Sequence, residues 1–164
     1  MLRDQNLIPL SHQHQHTLAL CVRIDRATAA GDADVAAFEA EVEQIVQQEI
    51  AAHFVAEEKE LFPAAAKFPE LSDLVEELRS EHTVLRDFFS RAKLHQLHLA
   101  GLRKLGESLS AHIRKEERQL FERIQQLMSA EELAEIGSRL NVLLAQASDA
   151  CLLPNEATKL RPQK

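Results

Sequence analysis

The chain has 164 residues, with 19 Lys and Arg against 26 Asp and Glu for a net charge of −7. That length fits one domain around a single core, and the acidic balance excludes the clustered positive surface that binding nucleic acid requires. Glycine and proline number only 4 and 5 while 45% of residues are apolar, so helix breakers fall to about half their usual share of roughly 12 per cent and an all-helical fold is expected.

No apolar run approaches the roughly 20 residues that span a bilayer. The first ten residues, MLRDQNLIPL, lack the apolar centre of a secretory signal, so a cytoplasmic protein without a membrane partner is expected. The two cysteines, Cys21 and Cys151, do not form the dense framework of a small secreted domain and are expected as reduced thiols.

In chain order, Pro9 precedes a helix from about Ser11 to Ala30, and Gly31 ends it. Asp32 or Asp34 caps a second helix that runs to about Phe62. Pro63 and Pro69 bracket a short connection, and a third helix follows from Pro69 to about Lys93. A weak boundary at Leu94 to His98 leads into a fourth helix reaching about Met128, with Gly101 and Gly106 loosening its first turns. Ser129 and Glu132 have the spacing of a capping box at the head of a fifth helix. Residues 1–147 form one unit, and 148–164 form a polar, flexible tail. Four long helices on short turns fold into an up-down-up-down antiparallel bundle with an additional C-terminal helix.

Each of the four long helices carries an apolar stripe at three- and four-residue spacing, and each stripe holds a histidine where an apolar residue is expected. The stripes read Leu10, His14, Leu18, Cys21; Val46, Ile50, His53, Glu57, Leu61; Leu71, Leu74, Leu78, His82, Leu85, Phe89; and Leu105, Leu109, His112, Glu116, Leu120 with Ile124. Residues equally far from a turn share a height in an antiparallel pair, so all six polar residues can lie in one layer.

Four imidazoles and two carboxylates buried without partners would cost several kcal/mol, and a bound cation removes that cost. Two metals could each take two histidines, one oxygen from each of two bridging glutamates and a bridging oxide or hydroxide, which makes five donors. Such a set suits iron or manganese with one position left open better than the four-ligand, single-ion habit of zinc. The second and fourth helices also repeat one another: HFVAEEKELF from His53 and HIRKEERQLF from His112 both fit H-x-x-x-E-E-x-x-L-F, offset by 59 residues. The Glu-x-x-His pair of ferritin-like bundles is absent from the sequence, which argues against that chemistry.

These residues resemble the hemerythrin family, in its HHE cation-binding branch, over about residues 7 to 127. Leu10-Ser-His-Gln-His14 resembles the family's first-helix segment, His53-x-x-x-Glu57 its second, Glu81-His82 its third and His112-x-x-x-Glu116 its fourth. The resemblance implies His14, His53, Glu57, His82, His112 and Glu116 as metal ligands around a non-haem di-iron centre bridged by oxide or hydroxide, with manganese or zinc as alternatives. Oxygen-carrying hemerythrins have a second third-helix histidine one turn from the first, where this chain has Leu78 and Arg86. They also have an aspartate five residues after the fourth-helix histidine, where this chain uses Glu116 in HxxxE spacing. The set of four His and two Glu is more similar to bacterial proteins of iron-sulfur-centre repair and to hemerythrin-like iron or oxygen sensors. Such relatives imply O2, NO or peroxide as ligand, and an iron-sensing or iron-delivering module without turnover as the alternative.

The remaining candidates read more plainly. His12 and His16 point about 200° away from His14 on the first helix, which leaves His16 as the runner-up ligand. His95 and His98 belong to solvated surface. Glu58 and Glu117 are turned about 100° from their neighbours, which places them at the surface or behind a ligand. Cys21 is a small core residue. Leu133, Ile136, Leu140, Leu143 and Leu144 dock on the bundle, or alternatively form a homodimer or partner interface. Beyond the six ligands no general acid or base stands out, and the absence of Tyr excludes a tyrosyl radical on this chain.

Overall fold

The structure, a computed structural model, describes residues 2–151, with side chains to residue 145. Among the described residues it is all helix, without strands. Helix α1 is Ile8–Ala30. Helix α2 spans residues 35–65 and is interrupted by two π turns, Val46–Ile50 and Glu57–Leu61. Helix α3 is Ser72–Lys93. Helix α4 spans residues 99–127 with one π turn, Glu116–Leu120, and α5 is Ala130–Cys151. The first four form the antiparallel bundle, with α1 along α4 and α3 packed on both α2 and α4, while α5 lies against α2.

The caps explain the first and last turns. Gly31 takes φ +76°, which a glycine adopts without strain, and its N–H closes on the Ala27 carbonyl. Asp34 caps α2 by accepting from the Ala37 N–H at 3.0 Å. Ser129 and Glu132 form the expected reciprocal box, with Ser129 N–H donating to Glu132 at 2.8 Å and Glu132 N–H donating to Ser129 Oγ at 3.2 Å.

Three expectations are corrected. Pro9 lies inside the first turn of α1, which begins at Ile8, because a proline there gives up only an N–H that would have no helical partner. Pro63 does not end α2. It follows directly on the π turn Glu57–Leu61 and sits in the first turn of Phe62–Ala65, so the connection moves to residues 66–71 and closes with a 3-10 turn, Pro69–Leu71. Gly106 does not loosen α4. A Cβ there would stand 3.0 Å from Ile24 Cγ2, so the glycine marks the close approach of α1 and α4. The tail expected from Ser148 lies, beyond Cys151, outside the described residues, as does the Cys151 side chain.

Two apolar clusters fill the bundle. One, built on Leu20, Ile24, Phe54, Leu85, Phe89, Leu102 and Leu109, occupies the end near Gly31. The other, built on Leu10, Leu61, Phe62, Leu78, Leu120 and Phe121, also takes in Leu133, Ile136, Leu140 and Leu144 of α5, with Leu143 half-buried against it. The apolar face of α5 is therefore spent on the bundle. The polar layer lies between the two clusters.

Candidate metal centre

His14, His53, Glu57, His82, His112 and Glu116 meet in that layer, each at most 4% exposed. The 3.6-residue period aims each of them inward from its stripe, and the apolar clusters above and below fix their height. All four imidazoles present Nε2 to the centre. His53 Nε2 lies 3.2 Å from Glu57 and His112 Nε2 lies 3.2 Å from Glu116, one turn along the same helix. Across helices, His14 Nε2 approaches Glu116 at 3.2 Å and His82 Nε2 approaches Glu57 at 3.5 Å. The potential donor atoms form two quartets, His14, His53, Glu57, Glu116 and Glu57, His82, His112, Glu116, each with its atoms within 4.8 Å of one another. Both quartets share both glutamates.

The other ring nitrogen of every histidine is engaged from behind. His14 Nδ1–H donates to Glu117 at 2.7 Å, His53 to the Gln13 side-chain carbonyl at 2.8 Å, His82 to Glu58 at 2.8 Å and His112 to Glu81 at 2.8 Å. With Nδ1 as donor, each neutral ring carries its lone pair on Nε2, the tautomer a metal ligand needs. Three of these acceptors are held in turn by cations: Glu117 by Arg3 at 2.6 Å, Glu58 by Arg86 at 2.7 Å, and Glu81 by Lys115. Aromatic rings wall the layer. Phe54 stacks on His82 with centroids 3.6 Å apart, Phe62 lies 5.3 Å from the same ring, and Phe121 stacks on His14 at 5.5 Å.

The layer fits a cation on its own evidence. Among the described residues, Nε2 of His14 and His53 and both oxygens of Glu57 and Glu116 are buried with no hydrogen-bond partner outside the layer. A buried polar atom left unpaired costs about 1–3 kcal/mol, so together they rival the about 5–15 kcal/mol stability of a whole domain. With the four rings neutral only electron-pair donors converge, and positive charge, whether protons or a metal ion, is what satisfies them.

Electrostatics in the protein without metal point the same way. Burial would lower the pKa of His14, but the carboxylates of Glu116 and Glu117 outweigh it and hold the ring up at about 9. His112 behaves alike beside Glu116 and Glu81, at about 10. Burial and the neighbouring His14 charge push His53 down to about 3. Burial and the Glu116 charge raise Glu57 to about 7, while His112 and His14 overcome burial to hold Glu116 well below the ordinary carboxylate range. Protons occupy positions that a divalent ion would take.

A cavity of about 10 Å³, room for about one water-sized molecule, adjoins the layer. It is lined by Gln13, Thr17 and Ile113 together with His14, His53, His112 and Glu116, so it reaches three of the four layer histidines and not His82.

Other candidates stand apart from the centre. His12 and His98 are exposed. His16, the runner-up ligand, is exposed and pairs with Glu49 at 3.0 Å. His95 pairs with Glu39, whose buried carboxylate also accepts the Leu97 N–H at 2.8 Å and so ties the α3–α4 connection to α2. Cys21 is buried in the core, and burial pushes its thiol up to about 11. Two things escape the sequence reading. The first is Gln13 and Glu81 behind His53 and His112, whose only signal is that each directly precedes a layer histidine, whereas Glu58 and Glu117 stand behind His82 and His14, one of the two placements expected for them. The second is the pair of π turns that open at Glu57 and Glu116, since H-x-x-x-E is also the spacing of an ordinary helical turn.

The family model for the hemerythrin HHE cation-binding domain matches residues 9–124, a span that contains all six residues of the layer. No curated protein and no solved structure matches the chain.

Proposed function

The chain belongs to the hemerythrin HHE cation-binding family, and from that premise we propose that it is a non-haem di-iron protein that binds O2, NO or peroxide in iron-centre repair or stress response. The observation that carries this reading is the pair of quartets sharing both Glu57 and Glu116. His14 and His53 would hold one ion and His82 and His112 the other, with the two carboxylates bridging. Mixed imidazole and carboxylate donors shared between two positions suit iron, and manganese after it, better than a structural zinc. A bound iron pair supplies redox chemistry and an open position for a small ligand.

The chain's own groups prepare that site. The four Nδ1–H bonds fix each ring so that Nε2 points at the centre, which limits the reorganisation that binding requires. Phe54, Phe62 and Phe121 keep bulk water from the donors. The cavity lined by His14, His53, His112 and Glu116 gives about one water-sized molecule room beside the donors.

Iron-replete expression followed by metal analysis and an optical spectrum tests the proposal. About two irons per chain with near-ultraviolet bands of a bridged ferric pair are expected. Less than one metal per chain, or zinc alone without such bands, overturns it.

A further inference from the structure

The layer residues of α1 with α2 correspond one to one with those of α3 with α4. His14 corresponds to His82, His53 to His112, Glu57 to Glu116 and Glu58 to Glu117. Two sets of contacts obey the same correspondence, while across helices His14 lies 3.2 Å from Glu116 and His82 3.5 Å from Glu57. Each His-x-x-x-Glu pair is 3.2 Å apart within its helix, and Glu58 backs His82 as Glu117 backs His14.

The correspondence fails at the residue preceding the first histidine of each pair. Glu81 precedes His82 and accepts from His112 with a carboxylate, itself paired with Lys115. Gln13 precedes His14 and accepts from His53 with a neutral amide. Three of the four imidazoles are thus backed by a carboxylate and one is not. An anionic acceptor draws the Nδ1 proton and makes Nε2 a stronger donor, and changing such a residue alters metal affinity by about 10–100-fold.

A second asymmetry falls on the same side. Where Phe54 stacks on His82, the corresponding residue near His14 is the smaller Ile113, and Thr17 stands where the other half has Leu85. The small cavity, which reaches His14, His53 and His112 but not His82, has half-buried Gln13 among its walls.

We propose that the two cation positions are unequal: the position bounded by His14 and His53 is the weaker and more exchangeable, and Gln13 is the positioning residue that sets the difference. This rests on the two-cation reading above.

The test is a titration of the metal-free protein with cobalt(II) against a competing chelator, followed by visible absorption. Wild type should bind two ions in phases separated by about 10–100-fold. His53→Ala should remove the weaker phase and leave the tighter one. Gln13→Glu should tighten the weaker phase until the two approach each other, and Glu81→Gln should weaken the tighter phase, with helix content unchanged in both nearly isosteric variants. Two equal affinities in wild type, loss of the tighter phase in His53→Ala, or phases unmoved by Gln13→Glu would overturn the inference. Binding of a single ion or none defeats the two-cation reading instead.

Discussion

At the scale of single residues, the layer is a set of bases competing for protons that a metal displaces. His14 and His112, held up at about 9 and about 10, favour the folded metal-free state fully below the ordinary histidine pKa of about 6.5, and that stability is lost as pH rises through the folded values. Glu57, raised to about 7, acts in the same direction from its ordinary value upward. The chelator-treated protein should therefore melt at progressively lower temperature between pH 7 and pH 10. The loaded protein should show a much flatter profile, because its imidazoles are already deprotonated. Thermal scans by circular dichroism at pH 7, 8.5 and 10 check this, and a flat metal-free profile would contradict it. The six inward residues were legible in the sequence because each replaces an apolar residue on a helical stripe. For Glu58 and Glu117 the sequence says only surface or behind a ligand, since a turn of about 100° from a neighbour does not say which histidine of another helix lies beside them.

At the scale of elements, each helix is set by short-range signals and its contacts by small residues. Gly137 on α5 faces Asn6, and a Cβ there would lie 2.6 Å from Asn6 Cβ, which is anchored to the backbone and cannot swing away. Gly137→Ala gains about 1 kcal/mol of helix propensity, but overpacking costs about 1–3 kcal/mol. A net loss of about 1 kcal/mol, read as a fall in Tm of about 2–4 °C, is expected. Gly101→Ala is the control. Its nearest neighbour is the Leu97 Cδ2 atom at 3.3 Å, the far end of a flexible side chain, so its melting temperature should hold or rise. If Gly137→Ala melts at or above wild type, α5 does not press on the N-terminal segment as described. Proline misled at this scale: at Pro63 a preceding π turn lets the helix run on to Ala65. A π turn inserts one residue without any composition of its own, so the HxxxE spacing gave no sign of it.

At the scale of the whole molecule, the polar layer cuts the core in two, with an apolar cluster on either side. Metal bound there joins what its absence leaves divided. A cation present at about 100 times its Kd adds about 2.7 kcal/mol to the folded state, a rise in Tm of about 5–10 °C for a chain of this size. Differential scanning calorimetry with added iron and then with chelator should show that rise and its reversal; no shift in either direction would mean that the native layer holds no cation. Helix content on chelation separates a sensor from a rigid reactive bundle. A sensor loses helix when stripped, and the rigid bundle keeps it. No helix among the described residues is long and apolar enough to cross a membrane.

The sequence by itself determined the helices, their inward faces and the identity of the six layer residues, because these follow from a period of 3.6 residues and from caps that act over one turn. It could only allow, and not require, that the six share one height. Packing decided that, since side-chain rotamers and partners across helices depend on how two apolar clusters lock four helices in register. The same packing chose the acceptors behind the histidines. It set Glu81 behind His112 and Gln13 behind His53, two residues that in sequence are polar neighbours of a histidine and in the structure give one half of the centre an anionic acceptor where the other has a neutral one.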